Sequence, residues 1–258
     1  MYYTNPSSTS EVNGRSLSFD FSSRNYLLKK FCTPEQKTFL EKKAVYCNYK
    51  KDDLIFYEHF PAFNIFFVCS GKIALWKEDM HIRKNITRFA KEGDFLGYRG
   101  SFIGNYTYRF SASAMEDSIL CSVAKDALEE VLKVNHELNL NFLVSYLKEL
   151  EMDESRLHAI ANMNAKEKVA EALLIISDAF SDRQTLPTDG ENNTPLSFSI
   201  CRKELGAVAG LCEGKTIKQL SEFRDEKILN TCRAMITLLR PDKLKEIVAR
   251  FHEYPSLA

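Results

Sequence analysis

The run Ile200–Leu229, ICRKELGAVAGLCEGKTIKQLSEFRDEKIL, constrains the fold more than any other part of the chain. It reads as two short helices joined by a tight turn. Leu205, Val208, Ala209 and Leu211 form one apolar stripe, and Ile217, Leu220 and Phe223 form another. Gly210 lies between them, where a short turn needs a residue free to adopt positive φ. Lys215 and Lys218 fall on the side of the second helix away from its apolar stripe. Small residues at the crossing and cations on the outer face are the pattern of a helix-turn-helix that meets DNA. Its candidate contacts are Arg202, Lys203, Glu213, Lys215, Thr216, Lys218 and Arg233.

Charge supports a local rather than a global basic surface. Formal net charge is zero over 258 residues, so the chain is no basic coat protein. From Ser199 onward, however, Lys and Arg outnumber Asp and Glu, and only a contacting face must be positive. No apolar stretch approaches the roughly 20 residues that cross a bilayer, and the N-terminus lacks the pattern of a secretory signal. The seven cysteines, Cys32, Cys47, Cys69, Cys121, Cys201, Cys212 and Cys232, contain no C-x-x-C pair. They read as small, mostly buried hydrophobes in a reducing cytoplasm, and no metal site is expected.

Upstream, residues 1–24 are rich in Ser, Asn and Thr and read as a mobile leader. Helical periodicity covers 25–45, with Thr33-Pro34-Glu35-Gln36 as a helix start. From about 46 to 123, short β-rich runs alternate with turns: Leu54–Tyr57, Asn64–Ser70, Lys72–Trp76, Ile86–Ala90, Tyr106–Ala114 and Ser118–Val123. Closely spaced strands with no helices between them predict an antiparallel sandwich or barrel. Asp126–Val134 is a short helix. In the next, Leu140, Leu143, Leu147, Leu150, Glu154, Leu157 and Ala161 recur at alternating three- and four-residue spacing. That is a heptad seam on an otherwise polar helix, and it predicts a partner helix from a second copy of the chain. A further helix spans 164–180, and residues 181–195 read as an exposed polar loop. Beyond the helix pair, Lys227–Leu229 and Arg233–Leu239 read as a hairpin, and Pro241 opens a last helix to about Phe251. The expected class is therefore α+β. A leader (1–24) precedes an antiparallel β-barrel of jelly-roll type with flanking helices (25–135). A long dimerisation helix (136–163) and a winged helix-turn-helix (164–258) follow.

This order of parts resembles the Crp/Fnr family of transcription regulators, whose barrel is of the cyclic-nucleotide-binding type. The matching barrel segments are Ser70-Gly71-Lys72-Ile73-Ala74-Leu75, Gly93-Asp94-Phe95-Leu96-Gly97 and Ala114-Met115-Glu116-Asp117-Ser118. In the C-terminal part they are Arg202-Lys203-Glu204-Leu205, Ala209-Gly210 and Leu220-Ser221-Glu222-Phe223. The resemblance implies a dimeric regulator that binds a near-palindromic site on double-stranded DNA. RNA polymerase is a further partner, and membranes are not involved. In cyclic-AMP-binding members a Glu follows the Gly-Asp-x-x-Gly turn for the ribose hydroxyl, and an Arg holds the cyclic phosphate. Here Gly97 is followed by Tyr98-Arg99, and the phosphate Arg position falls on Tyr108, with Arg109 one residue later. The candidate effector pocket, Phe95, Gly97, Tyr98, Arg99, Tyr108, Arg109 and Ser111, is aromatic, with Phe102, Tyr106 and Phe110 nearby. It is either filled by its own side chains or open to something flatter and less charged than cyclic AMP. Arg99 and Arg109 are either solvated or a small anion site. No cofactor is expected, and the effector stays open.

The family's Arg-Glu-x-x-x-Arg reading pattern falls on Glu213, Gly214 and Lys218, so the operator does not carry over. Cys201 occupies the N-cap position before Arg202, with Ser199 as the alternative cap. Two other function classes stand beside the regulator. One is a ligand-binding module whose degenerate winged helix binds no DNA. The other is an enzyme, for which the sequence offers no nucleophile elbow, H-E-x-x-H, P-loop or paired acids in a suitable context.

Overall fold

The computed structural model describes residues 24–80, 83–101, 106–180 and 196–251. The expected leader, apart from Arg24, and the expected loop over 181–195 lie outside the described residues. So does Phe102. Among the described residues no helix is long and apolar enough to cross a membrane.

The described chain opens with α1 (Tyr26–Phe31) and α2 (Pro34–Lys42). Thr33 caps α2 by accepting from the Gln36 N–H, while the Gln36 side chain accepts from the Thr33 N–H. This reciprocal box satisfies two otherwise orphaned donors and fixes the helix start. Eight strands follow among the described residues: β1 (Ala44–Tyr49), β2 (Leu54–Phe56), β3 (Asn64–Ser70), β4 (Ile73–Glu78), β5 (Lys84–Ala90), β6 (Phe95–Leu96), β7 (Ser111–Ala114) and β8 (Ser118–Ala124). A one-turn helix, α3 (Tyr98–Ser101), interrupts them after β6. They form two four-stranded sheets, ordered β1-β8-β3-β6 and β2-β7-β4-β5. Between them lies a core that includes Phe56, Phe66, Val68, Ile73, Leu75, Leu96, Tyr108 and Leu120. The sheet region is therefore the antiparallel sandwich or barrel expected from the strand spacing.

Two strand boundaries differ from the sequence reading. Helical periodicity continues to residue 45, but α2 stops at Lys42, and Val45, Tyr46 and Tyr49 instead enter β1 as a β-prone run along β8. The expected strand over Tyr106–Ala114 survives only from Ser111. Tyr106, and His59 on the facing segment, adopt positive φ (47° and 68°), which breaks the ladder. The segment is held instead by Ala62 N–H to Tyr106 O at 2.7 Å and Tyr108 N–H to Phe60 O at 2.9 Å. The inward side of 106–110 therefore cannot be counted back from Ala114 by strand alternation.

Helices α4 (Lys125–Val134) and α5 (His136–Asn162) come next, then α6 (Ala165–Phe180). The remainder is β9 (Leu196–Ser199), α7 (Arg202–Ala209), α8 (Glu213–Asp225), β10 (Leu229–Cys232), β11 (Met235–Leu238) and α9 (Pro241–Val248), ending in a 3-10 turn to Phe251. The described residues fall into two compact units. One holds residues up to 75 together with 90–145, and the other holds 76–89 together with those from 146 onward.

In the second unit α6 is the central helix. Its Val169, Leu173 and Ile176 are fully buried. Asn164 and Glu167 cap its start reciprocally, and Glu167 also pairs with Arg250 at 2.7 Å. The 76–89 hairpin is tied to the C-terminal half of α5 by Arg88 and Glu149 at 2.5 Å. Arg156 of α5 donates to Thr87 O and, at 3.4 Å, to Val208 O. Burial pushes the Arg156 pKa below the usual arginine range.

Long helix α5 has two unlike sides. Leu138 and Phe142 are buried, whereas the seam leucines Leu140, Leu143, Leu147, Leu150 and Leu157 are 39–69% exposed. Val144 extends that exposed apolar side.

Candidate functional site

The C-terminal unit builds one candidate site from α7, α8 and the β10–β11 hairpin. Helix α7 starts on a capping box in which Cys201, not Ser199, is the cap. The Cys201 thiol accepts from the Glu204 N–H at 3.4 Å, and Glu204 accepts from the Cys201 N–H at 3.0 Å. Leu205, Val208 and Ala209 are buried, and Gly210 ends the helix at φ 64° in the left-handed region. The Gly210 and Leu211 N–H groups both close onto Gly206 O, which makes the turn.

Gly206 sets how closely the two helices approach. A Cβ added there would lie 2.8 Å from Leu211 O and 3.1 Å from the Thr216 hydroxyl. Helix α8 therefore packs its first turn directly on the α7 backbone. Its end is a Schellman cap with Lys227 at φ 56°. Ile228 N–H bonds Phe223 O at 2.9 Å and Lys227 N–H bonds Arg224 O at 3.0 Å. Because Lys227 belongs to this cap, the following strand starts at Leu229 rather than Lys227. Arg233 and Ala234 form the hairpin turn rather than strand, with Arg233 at φ 53°. A third strand, β9, completes the wing sheet in the order β10-β11-β9.

The inward face of α8 differs from the expected stripe. Thr216, Gln219, Leu220 and Phe223 are buried, while Ile217 is 48% exposed. Helical phase with Leu220 and Phe223 gives Thr216 the place assigned to Ile217, and its hydroxyl donates to Cys212 O at 3.1 Å, which satisfies the polar group in the helix crossing. Thr216 is fully buried, so the expectation that it contacts DNA does not hold. Glu213, Gly214, Lys215, Ile217 and Lys218 are left facing out at the N-terminal end of α8. Gly214 lies in the first turn, not mid-helix, and a Cβ there would meet nothing within 4 Å.

The expected cations divide into two kinds. Lys203, Lys215, Lys218 and Arg233 are exposed. Arg202 is half-buried, and its guanidinium donates to Arg233 O at 3.0 Å, which fastens the start of α7 to the hairpin turn. Elsewhere in this unit, cations are matched locally: Lys166 with Glu226 at 2.5 Å and Lys243 with Glu246 at 2.7 Å. No ion pair among the described residues engages Lys203, Lys215, Lys218 or Arg233.

The barrel holds the other candidate. The Glu92-Gly93-Asp94 turn, with Gly93 at φ 89°, is clamped to β3 by Gly93 N–H to Val68 O at 3.0 Å and Val68 N–H to Asp94 O at 2.9 Å. At Gly97, also at φ 89°, an added Cβ would meet the Tyr108 ring at 3.0 Å. Tyr108 is buried and stacks on Phe56 with centroids 4.0 Å apart, and its hydroxyl donates to Asn64 O at 3.0 Å. Phe95 and Tyr98 are buried with Phe142, at centroid distances of 4.6 to 5.7 Å. Ser111 accepts from the Glu58 N–H at 3.0 Å. Phe95, Tyr98, Tyr108 and Ser111 are thus taken up by packing and local bonds. Arg99 and Arg109 are half-buried, the former with its guanidinium 5.7 Å from the Phe110 ring. Tyr106 is exposed. Burial pushes the Cys32 and Cys69 thiols up to about 11, and Cys121 is buried with them, as small core hydrophobes are; Cys47 is half-buried and Cys201, Cys212 and Cys232 are exposed, so the expectation of buried cysteines fails for the C-terminal three.

Comparison with known proteins agrees with this arrangement. Residues 46–135 match the family model of the cyclic nucleotide-binding domain. The fumarate and nitrate reduction regulatory protein of Vibrio cholerae is 23% identical over 184 residues, which cover 71% of this chain and 70% of that protein. FixK2 from Bradyrhizobium japonicum superposes with a TM-score of 0.66 at 21% identity, covering 79% of this chain and 96% of its own. A transcriptional regulator of the CRP family from Thermus thermophilus, TTHB099, gives a TM-score of 0.64 at 15% identity, with coverage of 79% and 96%. Residues 46–135 thus form a cyclic nucleotide-binding domain, and the chain is similar along most of its length to regulators of the Crp/Fnr type. It departs from the cyclic-AMP pattern at Tyr98 and Tyr108, and from the Arg-Glu-x-x-x-Arg pattern at Glu213, Gly214 and Lys218. Sequence reasoning singles out the helix pair but misses the two residues that shape its crossing, Gly206 and Thr216: one is legible only as a small residue, and the other is polar and reads as outward while the apolar Ile217 reads as inward.

Proposed function

We propose that this chain is a dimeric, DNA-binding transcription regulator of the cytoplasm, not an enzyme. Its barrel answers an effector other than cyclic AMP. The observation that carries the reading is the outward face of α8. There Lys215 and Lys218 stand exposed on a helix whose other face is fully packed, with Lys203 and Arg233 exposed on the neighbouring elements. Cations left without carboxylates on a protruding helix suit a polyanion, and phosphate contacts position a reader on duplex DNA. The exposed leucine seam of α5 supports dimerisation, since a contiguous apolar stripe this long calls for a partner. Tyr108 in place of the phosphate-binding arginine, already stacked on Phe56, argues against a cyclic phosphate in the barrel.

The test is a Lys215→Gln/Lys218→Gln double variant, compared with the parent chain by fluorescence anisotropy on duplex DNA across a salt series. Each lost phosphate contact lowers the salt slope by about one, so two lysines in each of two copies should lower it by about four. Affinity should fall at least about tenfold at low salt. An unchanged affinity and slope would favour the ligand-binding module without DNA function.

A further inference from the structure

Ile217 is the one large apolar side chain on the outward side of α8, and neither the helix packing nor the cationic contacts account for it. It is 48% exposed, while the buried face of the same helix is made by Thr216, Gln219, Leu220 and Phe223. Its neighbours one turn away on that side are Gly214 and Ser221, with Lys218 beside it. A helical side chain leans toward the N-terminus, over the residue one turn before it. For Ile217 the residues there are Glu213, which is exposed, and Gly214, which has no side chain and has nothing within 4 Å of where a Cβ would stand. The isoleucine methyls therefore stand clear at the N-terminal tip of α8, the end of a recognition helix that reaches the base edges.

Resting on the DNA-binding reading above, we propose that Ile217 is a specificity residue that packs on the 5-methyl group of a thymine in the major groove. The methyl is the one apolar feature that a standard base pair presents there, and only an apolar side chain distinguishes it from bare edge. Gly214 has a matching role: it leaves the path between the helix tip and the groove floor unobstructed. Lys215 and Lys218, on either side in sequence, hold the helix against the phosphates while Ile217 reads.

The test uses the full-length chain and a site obtained from it by selection from random DNA. Each thymine of that site is replaced in turn by deoxyuridine, which removes only the methyl. Burying one methyl favours binding about fourfold, so a two-fold site changed in both halves should weaken about fifteenfold at one symmetry-related pair of positions. Ile217→Ala should bind the thymine and deoxyuridine sites equally. Its thermal stability should stay close to the parent's, because about half of the side chain is already exposed and alanine is the better helix former. A flat deoxyuridine scan, or one that Ile217→Ala still registers, would overturn the proposal and leave DNA binding intact. A chain that selects no site at all would overturn the DNA-binding reading and this proposal with it.

Discussion

Replacing Gly206 by valine should disrupt the α7–α8 pair and abolish DNA binding, although Gly206 itself is buried and faces α8 rather than solvent. A Cβ at Gly206 would meet Leu211 O at 2.8 Å and the Thr216 hydroxyl at 3.1 Å. The first is backbone, and it belongs to the turn whose Leu211 N–H also bonds Gly206 O at 2.9 Å. The turn therefore cannot yield without losing that bond. Overpacking of this kind costs about 1–3 kcal/mol for one added methyl and more for a branched side chain. That is a large share of the stability of a small domain. The sign makes the experiment decisive. Helix propensity alone would make Gly206→Ala stabilising by about 1 kcal/mol, so destabilisation in urea titration can come only from the helix crossing. Gly214→Ala, with nothing within 4 Å of its Cβ, is the matched control and should not destabilise. If Gly206→Ala proved as stable as the parent, α7 and α8 would not pack as closely as described.

The second large effect concerns the leucine seam. Leu143→Lys together with Leu147→Lys should convert the protein from dimer to monomer while leaving each barrel folded, since both side chains are about half exposed in the single chain. Fully burying a leucine contributes about 1.5–3 kcal/mol, and since Leu143 and Leu147 are about half exposed, removing two from each copy forfeits on the order of 3–6 kcal/mol of association. Opposed lysines add repulsion. Sedimentation velocity at micromolar concentration should then show a monomer where the parent shows a dimer. Persistence of the dimer would place the interface on another surface.

Much of this fold was legible because its signals are local. Thr33-Pro34-Glu35-Gln36 specifies a capped helix by chemistry within four residues, and Gly210 specifies a left-handed helix end. The strand over Asn64–Ser70 and the last helix from Pro241 are equally self-contained. The misreadings arose elsewhere. Thr216 lies four residues before Leu220 and seven before Phe223, so helical phase turns it inward and Ile217 outward, and a reading by apolarity inverts the two; the Thr216 hydroxyl bonds Cys212 O, which makes its burial tolerable. Residues 106–110 left the strand because Tyr106 and His59 adopt positive φ, which no β-propensity anticipates. For the barrel, sequence puts Tyr98 and Tyr108 among the candidate pocket residues, but it does not decide whether their rings line a cleft or fill it. The stacking on Phe56, Phe95 and Phe142 shows that these rings pack on one another.

The central claim is that two copies of this chain present two α8 helices to one DNA duplex. Selection from random duplexes with the purified full-length chain, followed by footprinting of the enriched sequence, tests it most directly. The expected product is a near-palindrome whose half-sites are about one helical turn, roughly 34 Å, apart, protected on one face of the duplex. Enrichment of no two-fold sequence, with any residual binding insensitive to salt, would contradict the account.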